Sequence, residues 1–139
     1  MAAARPSRGR ILVVDDEPEV RRALRLSLED AGYEVREASN GAFALAAARI
    51  WQPELVVVDL LMPTMNGWQF VEAYARLQGE RASVVAITAA GPSAVRSARE
   101  LRAVAAVLAK PFDVDELLDV VEQHMAGAAW RLGAGGAPA

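Results

Sequence analysis

The sequence predicts a doubly wound α/β domain, a five-stranded parallel sheet with five helices, and two observations predict it. Apolar runs alternate with helical segments along the chain, and right-handed crossovers between successive parallel strands lay each helix against the sheet. The run at 55–58, rich in β-branched residues, reads as a strand buried on both faces, and it is one of four apolar runs, residues 11–14, 55–58, 84–87 and 104–109. They lead into Asp15-Asp16, Asp59, Thr88 and Lys110-Pro111 respectively. In this fold class ligands bind outside the carboxyl ends of the strands, near the switch point. Those polar ends therefore define a predicted crevice.

Taken in order, residues 1–9 lack periodicity and mix proline, glycine and small side chains, which predicts a flexible arm ahead of a domain over 10–126. After the first strand, Glu17-Pro18-Glu19 favours a helix start, since acids and proline suit a helix N-terminus. Val20, Ala23, Leu24, Ser27, Leu28 and Ala31 supply the apolar stripe of a helix over 18–31, with the arginines mostly on the other side and Gly32 as the stop. Residues 33–38 alternate with period two and predict a half-covered strand nearer the sheet edge. Ser39-Asn40-Gly41 turns the chain, and an alanine-rich helix over 42–50 ends at Gln52-Pro53.

The central strand ends on Asp59, and Pro63 then breaks the run. Asn66 is placed to cap a third helix whose stripe is Phe70, Ala73, Tyr74 and Leu77, and Gly79 releases it. Gly91-Pro92-Ser93 precedes a short fourth helix with Arg96, Arg99 and Arg102 on one side. Asp113 and Glu116 form a capping box for the last helix, with Val114, Leu117, Leu118, Val121 and Met125 as its core stripe. Residues 127–139, mostly Gly, Ala and Pro with Trp130, predict a flexible tail.

Bulk properties narrow the function classes. A chain of 139 residues has room for one well-cored domain. A net charge of −3 leaves no footprint for nucleic acid or an anionic membrane. The absence of cysteine rules out disulfides, thiolate nucleophiles and thiolate metal sites, and a lone His124 rules out histidine-rich centres. No run approaches the ~18 apolar residues of a membrane span, so a soluble, cytoplasmic protein is expected.

Within the crevice, each group has a plain structural role and a chemical one. Asp15 and Asp16 can open a helix, Asp59 can open a loop, Thr88 can end a strand, and Lys110 can be a surface lysine. Gathered together, three carboxylates repel one another and must hold protons or a cation. Oxygen-only ligands select a hard divalent ion, magnesium or manganese. Lys110 would supply a compact positive charge for a phosphoryl oxygen or carboxylate, and Thr88 a hydroxyl donor.

Four motifs then carry a resemblance: Val-Val-Asp15-Asp16-Glu-Pro, Val-Val-Asp59-Leu-Leu-Met-Pro63-Thr-Met-Asn-Gly67, Ile-Thr88-Ala89-Ala90 and Leu-Ala-Lys110-Pro111-Phe112. Over about residues 9–126 the chain resembles the receiver domain of two-component response regulators. The resemblance implies the flavodoxin-like strand order 2-1-3-4-5 and a phosphoacceptor at Asp59, served by a histidine kinase or histidine phosphotransfer protein. It implies magnesium held by Asp16, Asp59 and the Leu61 backbone carbonyl, with Asp15 acting largely through water. Lys110 would pair with Asp59 and then with the phosphoryl group, while Thr88 and Ala89 form the responding loop.

The resembled family usually has an aromatic residue where this chain has Val107, and Leu61 and Ala90 flank its water route to the phosphoryl group. Both are apolar here, which predicts a long-lived acyl phosphate. The expected role is a switch or relay signalling to a protein partner in trans, not a turnover enzyme. A degenerate receiver that docks without phosphorylation and a magnesium-dependent aspartyl-phosphate phosphohydrolase are the alternatives. A homodimer through helix four, strand five and helix five would set Arg96, Arg99 and Arg102 against Asp115, Asp119 and Glu122.

Overall fold

The computed structural model describes residues 7–62, 67–78, 83–89, 91–101 and 103–131. Strands β1 (Arg10–Val14), β2 (Glu34–Ala38), β3 (Leu55–Asp59), β4 (Val84–Thr88) and β5 (Val104–Ala109) alternate with helices α1 (Pro18–Asp30), α2 (Gly41–Trp51), α3 (Gly67–Gln78), α4 (Pro92–Arg99) and α5 (Val114–Arg131). All strand pairs are parallel, in the order β2-β1-β3-β4-β5. Fold class and strand order are therefore those expected from the sequence.

The sheet divides two apolar cores. Side chains alternate across a strand, so Leu12, Val14, Val56, Val58, Val84 and Ala86 face α2 and α3 on one side. Ile11, Val13, Leu55, Val57, Val85 and Ile87 face α1 and α5 on the other. The two central strands β3 and β4 are buried at every position, which is why their sequences show no alternation. Edge strand β2 does alternate, with Glu34 and Arg36 outward.

Local signals explain several element ends. At the end of α1, Tyr33 N–H donates to the Leu28 carbonyl at 3.1 Å and Gly32 N–H to the Glu29 carbonyl at 2.9 Å. This double closure needs a residue with positive φ, and Gly32 takes φ 105°. The capping box on α5 forms as expected: Glu116 N–H donates to Asp113 Oδ1 at 2.8 Å and Asp113 N–H to Glu116 Oε1 at 3.3 Å. Asn40, expected only to turn the chain, caps α2 by accepting from Phe43 N–H at 2.9 Å.

Several expectations need correction. In α3 the stripe rotates by a residue: Val71 is buried with Phe70 and Tyr74, whereas Leu77 is 40% exposed. Val114, at the first turn of α5, is 49% exposed. Ala23 of α1 is likewise exposed. Residues 7–9 are held, not loose. Arg8 N–H donates to the Gly32 carbonyl at 3.0 Å, and its guanidinium meets Glu122 at 2.8 Å and lies over Tyr33. The tail expected from residue 127 begins instead as helix, since α5 runs to Arg131; Ala126, Ala128 and Ala129 are strong helix formers that carry it past Gly127. The expected roles of Pro63, Asn66, Gly79, Ala90 and Arg102, and of residues 1–6 and 132–139, lie outside the described residues.

One contact ties the fold to the crevice. Gly67 N–H donates to the Leu60 carbonyl at 3.0 Å, bringing the start of α3 against the end of β3. A Cβ there would collide with the Asp59 carbonyl oxygen and the Leu60 Cα, both backbone atoms. Gly67→Ala must therefore push the loop after Asp59 outward, at an expected cost of about 1–3 kcal/mol as for other overpacked sites. Denaturant unfolding of the variant measures this, and an unchanged midpoint would show that the loop yields freely.

Candidate functional site

The parallel register brings the polar strand ends to one rim. Asp59 lies opposite Ile87, Thr88 opposite Ala109, and Val14 opposite Val58, so the residues that follow emerge side by side. Carboxylate oxygens of Asp15, Asp16 and Asp59 all lie within 4.8 Å of one another. Asp15, Asp59 and Thr88 are buried, at 0%, 5% and 1% exposure, while Asp16 is more open. The polar strand ends thus share one rim, with Asp15, Asp16 and Asp59 clustered on it.

Asp59 uses both of its oxygens. Oδ1 accepts from Leu61 N–H at 2.9 Å, and Oδ2 accepts from Lys110 Nζ at 3.1 Å. The first bond is a local turn that lets the aspartate leave the strand and re-aim. The second spans β4, joining β3 to β5. Lys110 reaches it from a backbone position fixed by its own N–H, which donates to the Thr88 carbonyl at 2.8 Å, and the peptide to Pro111 is cis. Burial works against the Lys110 ammonium, but the hydrogen bond and charge of Asp59, then Asp15 and Glu17, outweigh it and raise its pKa.

Asp15 is differently placed. Its Oδ1 accepts from Glu17 N–H at 2.8 Å, but Oδ2 is buried and has no protein partner among the described residues. Burial raises its pKa, and the charges of Asp59 and Asp16 push the same way, against relief from the Glu17 N–H and Lys110. With all three carboxylates ionised, a single ammonium leaves the pocket short of positive charge. An orphaned buried oxygen among oxygen-only donors fits a hard divalent cation, which takes carboxylate oxygens and keeps its waters. The residues present therefore suit magnesium, with Asp15, Asp16 and Asp59 as holders.

The remaining expected residues take their places around this pocket. Ala89 is exposed just beyond Thr88, and the Leu61 side chain is 55% exposed. Val107 is half-buried, paired with Ala86 of β4 and packed against the core cluster that includes Ala98 of α4. A groove of about 530 Å³ opens beside the pocket, lined by Thr88, Ala89, Val95, Arg96, Arg99 and Lys110 among others. Arg96 and Arg99 are exposed on α4 as expected, but of the acidic set on α5, Glu122 is already engaged by Arg8. Sequence reasoning missed one group at this rim: Arg21, whose Nη1 donates to the Asp15 carbonyl at 2.7 Å.

Comparison with known proteins points the same way. The family model described as response regulator receiver domain matches residues 11–122. KdpE, a transcriptional regulatory protein of Mycobacterium tuberculosis, is 38% identical over 109 residues, covering 78% of this chain and 47% of that protein. This chain thus spans about half of that relative's length. Sporulation initiation phosphotransferase F of Bacillus subtilis is 32% identical over 117 residues, covering 84% of this chain and 93% of that one. Among solved structures, the response regulator TrrA of Thermotoga maritima, in complex with Mg(2+)-BeF, superposes with a TM-score of 0.74 at 34% identity, covering 83% and 97%.

The strain on Asp15 has a measurable sign. Its folded pKa lies above the unfolded value, so the folded state holds the proton more tightly and stability falls as pH rises through that window. Asp15→Asn, which does not titrate and can donate to a neighbouring carboxylate, should be more stable than the parent at neutral pH in chelator. The advantage should shrink as pH falls towards the ordinary aspartate range. Denaturant midpoints across that pH range test this, and a less stable variant at pH 7 would show that burial of Asp15 costs nothing.

Proposed function

The chain belongs to the response regulator receiver domain family, and we propose that it is a phosphoacceptor of a two-component or phosphorelay system, modified on Asp59. The observation that carries this reading is the Asp59 carboxylate held between Lys110 and the Asp15-Asp16 pair. Donors are a histidine kinase or a histidine phosphotransfer protein. An Asp59 oxygen forms the new bond to phosphorus while the donor's phosphorus–nitrogen bond breaks, and the electron pair leaves with the imidazole. Transfer of this kind asks mainly for positioning and charge neutralisation.

Lys110 moves its hydrogen bond from Asp59 to a phosphoryl oxygen, and Thr88 donates its hydroxyl to another. Asp15, Asp16, Asp59 and the Leu61 carbonyl would hold magnesium, which supplies charge neutralisation for the phosphoryl oxygens. The acyl phosphate adds roughly −2 charge at the rim, enough to draw the Thr88-Ala89 segment and bias a two-state surface. Output passes to a protein partner in trans.

Two measurements test the reading. Asp59→Asn removes the nucleophile at nearly constant size and should take up no phosphate from a small acyl phosphate in magnesium, while remaining folded; label on another residue would move the site. Leu61 and Ala90 cannot orient an attacking water, so the phosphate on Asp59 should be long-lived. The double variant Leu61→Asn with Ala90→Glu should lose it several-fold faster, followed with magnesium and no partner. Equal decay in parent and variant would sink the argument from these side chains.

A further inference from the structure

Two arginines of α1, expected to lie mostly away from the sheet, instead reach across to the edge strand. Arg21 Nε donates to Glu37 Oε1 at 2.8 Å, and Arg25 Nε meets Glu37 Oε2 at 2.6 Å. Glu37 sits on β2 opposite Val13, two residues before Asp15. Its carboxylate and the Arg21 guanidinium are 25% and 16% exposed, so water competes weakly for this pair. With the rest of its fork, Arg21 Nη1 donates to the Asp15 carbonyl oxygen at 2.7 Å.

Every hydrogen-bonding group of Asp15 but one is thereby committed. Its N–H donates to the Ala38 carbonyl at 3.2 Å, its carbonyl accepts from Arg21, and its Oδ1 accepts from Glu17 N–H. Among the described residues only Oδ2 is left over, buried, on a carboxyl group that clusters with those of Asp16 and Asp59. The carbonyl of Asp15 belongs to the planar peptide that joins Asp15 to Asp16. Fixing that peptide fixes the two Cα atoms from which both carboxylates project.

We propose that Arg21, clamped by Glu37, is a positioning residue that sets the affinity of the Asp15-Asp16-Asp59 pocket for magnesium. The inference rests on the reading of that pocket as the magnesium site. Arg21 touches neither the ion nor the phosphoryl group; it holds the Asp15-Asp16 peptide so that both carboxylates converge before the ion arrives. Groups that orient metal ligands in this way typically change affinity 10–100-fold when removed. Arginine suits the task because its rigid fork bonds two acceptors at once, a carbonyl and a carboxylate.

Calorimetric titration with magnesium chloride tests the proposal on the parent, Arg21→Ala, Arg21→Lys, Glu37→Ala and Glu37→Gln. Arg21→Ala should raise the magnesium Kd about tenfold or more, and Glu37→Ala should move it the same way. Lysine reaches one acceptor at a time and glutamine keeps one acceptor oxygen, so both should fall between. The magnesium concentration for half-maximal phosphate uptake should rise by the same factor, while uptake at saturating magnesium returns close to the parent's rate. A merely structural role predicts the reverse, unchanged affinity with a lowered maximal rate, and that pattern in a folded Arg21→Ala overturns the proposal. If that variant does not fold, Arg21→Lys and Glu37→Gln decide by the same criterion. A parent that binds no magnesium, or binds it equally well as Asp16→Ala, instead sinks the reading of the pocket and this inference with it.

Discussion

The ion pair between Lys110 and Asp59 is the constraint around which the rim is built. Asp59 is nearly fully buried beside two more carboxylates, and an isolated charge in that setting would be protonated or would push its neighbours apart. Lys110 meets it from two strands away at 3.1 Å, which the parallel β3, β4 and β5 allow by bringing their carboxyl ends to one rim. A buried pair of this kind is weak evidence for stability, since desolvating both ions offsets much of their attraction. Set beside two further carboxylates that no ion pair among the described residues engages, it makes sense as part of a site whose charge deficit is meant to be filled. The orphaned Oδ2 of Asp15 is the sharpest mark of that deficit.

Much of this was legible in the sequence because it depends on period and punctuation. Residues 55–59 read as a doubly buried strand, and they are buried throughout. Gly32 and the Asp113–Glu116 capping box signalled helix ends by chemistry that acts over a few residues. The site followed from topology: once the strands are parallel, Asp15, Asp16, Asp59, Thr88 and Lys110 have to share one rim. No side-chain contact had to be foreseen for that.

What escaped was whatever depends on a long side chain choosing a distant partner. Arg21 and Arg25 fall on the polar side of α1 by spacing, yet their reach carries the guanidinium groups to Glu37 on β2. Arg8 looked like part of a loose arm, but it finds the C-terminal end of α1, the Tyr33 ring and Glu122 together. Apolar stripes failed at helix ends for a related reason. Val114 and Leu77 have the right spacing, but each lies in an end turn of its helix and is exposed, and spacing alone does not say which turns are covered.

Val107 bears on how a change at the rim reaches the surface. A valine has one side-chain rotation and no polar tip, so it cannot exchange a buried position for an exposed one as a longer aromatic side chain can. It is paired within the sheet and packed on the core, and nothing in its chemistry responds to charge. Thr88 and Lys110, by contrast, line both the acidic pocket's rim and the neighbouring groove, with Arg96 and Arg99 on the groove's far wall. A ligand or modification shifts a conformational equilibrium only through contacts that differ between its states. On the proposed reading those contacts are made by Thr88 and Lys110 themselves, so the groove wall moves with the groups that grip the phosphoryl oxygens. Signal and surface are then one set of residues, and no intermediary side chain between β5 and α4 is required.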